Sequence, residues 1–224
     1  VIVGGQAITD ADLQRAVSSS PLADQFPSMD MKDQAALRGQ LLKGLITGRL
    51  LYLEALERGL DGSEAFRQDV AAYRRGELYR AFMDQVRAAI EIPAEKLAGM
   101  KEQYKGKPDA LAAAKSKFIG DRYKTRKVLE LQRLKDQYGF QVHEDRIAAG
   151  ADPDTVLAEA DGFRIRYGDV QKPDEAFDAG RFETRLYQRA EVLLVAHAAK
   201  DAGFDVGARV ERYRREALPA FLAQ

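Results

Sequence analysis

Val1–Leu13 reads VIVGGQAITDADL, and far downstream Glu159–Val170 reads EADGFRIRYGDV. Each stretch is a short apolar run, a glycine turn, and then an acid one step before an aliphatic residue. Gly5, Ile8, Asp12 and Leu13 fall on Gly162, Ile165, Asp169 and Val170 at one constant offset. A second pair follows in the same order at a smaller offset: LLYLEALERGLD (Leu50–Asp61) and LVAHAAKDAGFD (Leu194–Asp205). Two ordered matches point to a duplicated unit. The plainer reading is that any strand–turn–helix, and any helix closing on glycine, looks like another. In either case the strands are too short to stand alone. They must pair with each other or with the third strand-like run, Phe140–Ile147.

Working outward, Thr9 and Asp12 fit a capping box, with a hydroxyl at N-cap and a carboxylate at N3, so a short helix follows them. Residues 21–29 read as a loop. From Asp30 the apolar positions Leu42, Leu45, Ile46, Leu50, Leu53 and Leu56 mark one face of a long helix that Gly59 ends. Further helices are expected over Ser63–Ala89, from Pro93 to Tyr104, over Pro108–Tyr138, over Ala179–Ala202 and over Gly207–Leu222. Asp152-Pro153 reads as the start of one more helical turn. Phe163, Ile165 and Tyr167 alternate with Arg164 and Arg166, the period of a half-buried strand. The expected fold is mainly α, with a small β-sheet from strands near residues 1–8, 140–146 and 162–167. Residues 1–150 would form one domain, and 151–224 a partial second helical repeat packing on it or swapping with it.

The 224 residues suffice for a sizeable core. Thirty-five Lys and Arg balance thirty-five Asp and Glu, which argues against a nucleic-acid binder. No run is apolar enough to span a membrane. With no cysteine, disulfides, thiol catalysis and cysteine metal sites are excluded. The serines occupy caps, loops or a helix, and none sits in a nucleophile elbow. VGGQAI lacks the spacing and lysine of a phosphate loop. His143, in QVHED, has acidic neighbours that point to opposite faces of a strand, a poor metal site. His197 has no ligand beside it in sequence. Neither a catalytic residue nor a cofactor or metal site is expected. The segment from Lys115 to Lys135 is locally basic, a patch for acidic groups or simply a solvated helix face.

Gly5, Ile8, Thr9, Asp12 and Leu13, then Leu45, Ile46, Leu50, Leu51, Ala55, Gly59 and Leu60, form a pattern that resembles the N-terminal chaperone region of periplasmic parvulin-type foldases of the SurA, PpiD and PrsA kind. IPAEKLAGMKEQY and KTRKVLELQRLKDQYGFQVHED are similar to the later helices and closing strand of that region, so the resemblance covers about residues 1–147. In the isomerases a parvulin domain with paired histidines stands before that closing helix. Here only about ten residues lie between MKEQY and KSKFIGDRYKTRK, and the whole chain holds two histidines. The resemblance therefore implies a chaperone part without prolyl isomerase activity.

The function so implied is ATP-independent binding of unfolded or exported polypeptides. The expected location is the periplasm or cell envelope, with any signal sequence removed. The alternative is a structural or assembly subunit that docks one dedicated envelope partner. Tyr73, Tyr79, Phe82, Met83, Met100 and Tyr104 are the expected peptide-binding residues, because aromatic and thioether side chains adapt to many extended chains. One very long helix and a partial repeat would also allow a homodimer by helix exchange.

Overall fold

The alternating and helical periods become, in the computed structural model, a mainly α protein with two small antiparallel sheets; residues 1–223 are described. The chain forms two compact units. One is Val1–Tyr73 together with the stretch from Gly207 onward, and the other is Arg74–Val206. The segment expected as a second repeat contributes to both.

In the first unit, β1 (Ile2–Val3) turns through Gly4-Gly5 and pairs with β2 (Gln6–Ala7). Gly4 has φ +56°, and a β-carbon there would collide with Leu53, so glycine seats this turn on the following long helix. Helix α1 (Asp10–Ser18) starts at the foreseen capping box: Thr9 N–H donates to Asp12 Oδ2 (2.8 Å) and Asp12 N–H to Thr9 Oγ1 (3.2 Å). The Thr9 N–H foremost, and then the Thr9 hydroxyl, which also donates to Asp12 Oδ2 (2.7 Å), hold the Asp12 carboxyl below the usual carboxylate range. Helix α2 (Met31–Glu57) is capped by the Asp30 side chain, and α3 (Glu64–Ala88) carries the chain across the unit boundary. Helix α7 (Gly207–Ala217) and a 3-10 segment, Leu218–Ala223, return to pack on α2. The buried side chains here are few: Val3, Ile8, Ala55, Phe66, Val70, Val210 and Leu218. Phe66 meets the edge of Phe221 at 5.3 Å.

The second unit holds the rest of α3, then α4 (Ala94–Gln103), α5 (Pro108–Gln137), β3 (Gln141–Val142), β4 (Val156–Ala160), β5 (Phe163–Arg166) and α6 (Ala179–Asp201). The sheet order is β3–β4–β5, with Gln141 opposite Glu159 and Glu159 opposite Arg164. Its inner face packs Leu157, Ala158 and Ile165 against Phe182 and Leu186 of α6. A second apolar cluster joins Met83, Leu134, Tyr138, Leu194 and Val195.

The expected helical turn after Asp152-Pro153 is instead β4. Its residues VLAEA contain good helix formers, but a strand that is paired on both sides leaves no choice. The pairing differs from expectation too. β1 and β2 make a sheet of their own, while β5 pairs with β4 rather than directly with the 140–142 strand. The two repeated stretches nevertheless build the same local device. Asp169 Oδ2 accepts from Arg166 N–H (2.9 Å), as Asp12 does from Thr9. Ile165, like Ile8, is buried. Gly59 and Gly203 both close their helices in the left-handed region.

Candidate functional site

Three helices of the first unit each present one stripe to a shared hollow of about 760 Å³. From α1 come Asp12, Arg15 and Ala16; from α2 Gly44, Leu45, Gly48, Arg49 and Tyr52; from α7 Ala208, Glu211, Arg212, Arg215 and Glu216, with Ile8 and Pro219 closing the ends. The spacing of three, four and seven is what places residues on one helical face.

The floor is unusual. Gly44 and Gly48 stand in the middle of α2, where each glycine costs about 1 kcal/mol relative to alanine. No packing demand explains them, because a β-carbon at either position meets nothing within 4 Å. The helix therefore shows bare backbone to an open groove flanked by the apolar Leu45 and Tyr52. Above it the rim is charged on both sides. Arg15 is tied to Asp12, and Arg49 to the Gln6 side chain. Arg212, Arg215, Glu211 and Glu216 make no ion pair among the described residues. A groove of this kind, apolar and flat below and of mixed charge above, can hold an extended segment without reading its sequence closely. More apolar surface lies exposed on the same unit, with Met31 at 88%, Leu50 at 55% and Leu51 at 44%.

The six residues expected to bind peptide do not line this groove. Met83 and Met100 are buried. Tyr79 and Phe82 pack beside Met83 on the Leu134–Leu194 cluster. The Tyr79 hydroxyl donates to Glu191, which also takes Lys127 Nζ at 2.7 Å. Burial first, and then this carboxylate, push the Tyr79 phenol up, while the bond to Glu191 raises the Lys127 ammonium well above its usual range. Tyr104 is half-buried at the end of α4. Tyr73 belongs to the first unit, stacked on Tyr213 with centroids 3.8 Å apart, and Tyr213 donates to Asp69 at 2.7 Å. That bond, with burial behind it, pushes the Tyr213 phenol up to about 12.

His143 Nε2 lies 3.1 Å from Glu159 Oε1. The His197 ring lies against Gly162, edge-on to Tyr138 at 4.9 Å. Among the described residues, no group of three His, Asp or Glu side chains is placed to hold a metal ion, and no helix is long and apolar enough to cross a membrane. On α5 the basic segment is partly paired: Lys117 bridges to Asp121 (2.7 Å) and Arg133 to Glu130 (2.6 Å).

Sequence reading missed Gly44 and Gly48, though a glycine inside a strong helical pattern is itself a signal. It could not foresee α7 as the far wall, about 160 residues away in sequence. Set against known proteins, the chain matches no family model, no curated protein and no solved structure. The fold and the groove define it as a mainly helical protein with an amphipathic groove in one of its two units.

Proposed function

We propose that the protein binds unfolded or exported polypeptides in the α1–α2–α7 groove, without nucleotide and without chemistry of its own, as a chaperone-like component of the cell envelope. The observation that carries this reading is the glycine floor. Gly44 and Gly48 give up helix stability and fill no packing need, so the room they leave serves something outside the fold. The resemblance of residues 1–147 to the chaperone region of the periplasmic foldases supports the same reading. So does the mixed rim, which repels few clients. A shallow site of this size favours weak and broad binding, because ordering a flexible client offsets much of the contact energy.

The test is suppression of aggregation. An unfolded outer-membrane protein is diluted from denaturant with increasing amounts of the chain and no nucleotide, and light scattering is followed. An unrelated unfolded client is run in parallel. Protection of both, rising with concentration, is the expected result. Protection of neither overturns the general-chaperone reading and leaves the docking of one folded envelope partner, a reading that predicts a single tight complex.

A further inference from the structure

The chain carries equal numbers of basic and acidic side chains, yet one face of α5 departs from that balance. Between Ser116 and Leu129 the exposed charged residues are Lys117, Arg122, Lys124 and Arg126 against Asp121 alone. Lys127 does not add to them, because it turns inward to Glu191 (2.7 Å). Lys117 and Lys124 share Asp121, at 2.7 and 3.9 Å. Arg122 lies over the Phe118 ring at 5.5 Å, and neither it nor Arg126 pairs with a carboxylate among the described residues.

Two large aliphatic side chains stand exposed within this charge, Val128 at 66% and Leu129 at 59%. Helical spacing sets the residues in rows. Lys117, Asp121, Lys124 and Val128 follow one another at three or four residues, and so do Arg122, Arg126 and Leu129. Thr125 falls between the rows, three before Val128 and four before Leu129. The result is a band about 18 Å long, with Val128, Thr125 and Leu129 along its middle and cations along both sides. The opposite side of α5 is the packed one, where Tyr123, Leu131 and Leu134 join the cluster of Met83 and Leu194. The band is thus the convex outer side of a helix held from behind.

We propose that this face of α5 docks on an anionic lipid surface, with Lys117, Arg122, Lys124 and Arg126 on headgroup phosphates and Val128 and Leu129 entering the boundary of the acyl chains. Long basic side chains suit that place, since their stems lie along apolar surface while their charged ends reach the headgroups. The cation surplus requires a negative partner, and the aliphatic pair selects among negative partners. A nucleic acid offers phosphates to the cations but no apolar layer to Val128 and Leu129. An acidic protein segment needs a recess to grip it, and one convex helix face supplies none. A flat membrane meets the whole band at once. The face lies in the second unit and uses no residue of the groove, so it stands or falls independently of client binding.

The probe is vesicles of phosphatidylglycerol mixed into phosphatidylcholine, with pure phosphatidylcholine vesicles as the control. Co-sedimentation of the full chain is followed as lipid is titrated. Binding to the anionic vesicles that weakens as salt rises, and none to the neutral ones, is expected. Each cation at an anionic surface is worth about a fivefold gain in partitioning, so Arg122→Gln with Arg126→Gln should weaken binding about tenfold or more. Val128→Ser with Leu129→Ser leaves the charge unchanged and should weaken it about fivefold or more. All four side chains are exposed, so both variants should keep the fold, which circular dichroism checks. No binding to anionic vesicles, or binding that either paired variant leaves unchanged, overturns the proposal. Tighter binding to a single-stranded oligonucleotide or to polyglutamate at equal charge concentration, with the same dependence on Arg122 and Arg126, overturns the lipid assignment.

Discussion

Gly162→Ala should damage the second unit far more than one methyl group suggests. Gly162 has φ +92°, a region costing an L-residue about 1–2 kcal/mol. Its new β-carbon would also fall onto the His197 ring, 2.7 Å from Nε2. The ring cannot stay where it is. It packs edge-on against Tyr138 at 4.9 Å and Phe163 at 6.4 Å, and turning it out forfeits about 0.5–1.5 kcal/mol at each contact. The expected loss is therefore about 2–5 kcal/mol, read from urea unfolding followed by near-ultraviolet circular dichroism. His197→Ala removes the obstruction. The double variant should then be more stable than the two single losses predict, by about 1–2 kcal/mol. A Gly162→Ala loss under about 1 kcal/mol, or strict additivity in the double variant, would refute this account of how the β4–β5 turn is seated on α6.

Other consequences are as direct. Gly44→Ala and Gly48→Ala should each stabilise the first unit by about 0.5–1 kcal/mol in urea titrations, since each gains helix propensity and meets no neighbour; destabilisation would mean that the groove floor is packed. Tyr213 has a folded pKa of about 12, above the unfolded value near 10. A raised pKa favours the protonated phenol in the folded state, so its contribution is complete below pH ~10 and is lost as pH rises toward 12. Tyr213→Phe should flatten thermal stability across that window, and an unchanged slope would count against the Asp69 bond. Leu134→Ala, fully buried between Met83, Tyr138 and Leu194, should cost about 2–5 kcal/mol in chemical denaturation.

The helices were legible in the sequence because their faces and caps are local. Thr9 with Asp12, Asp30 before α2, and Gly59 after it act within one turn of the chain. β4 was not legible. Val156–Ala160 follows an Asp-Pro pair that reads as a helix start, and its strand character comes from partners at Gln141–Val142 and Phe163–Arg166. The aromatic and methionine residues show a similar limit. Residue type says that Tyr79, Phe82 and Met83 are apolar enough to bind a client, but only packing shows that they hold α3, α5 and α6 together instead. The groove was half visible. Its glycines stand out in α2, whereas α7 joins it only through long-range folding.

The central claim is that the α1–α2–α7 groove holds the client chain, and Gly48→Phe tests it most directly. The side chain would project into the hollow, since a β-carbon at Gly48 meets nothing within 4 Å and Gly48 lines the groove floor. Fluorescence anisotropy of a labelled unfolded segment is measured with the native protein and with the folded variant. The account predicts at least tenfold weaker binding by Gly48→Phe. Equal affinity would contradict it and move the site elsewhere on the molecule.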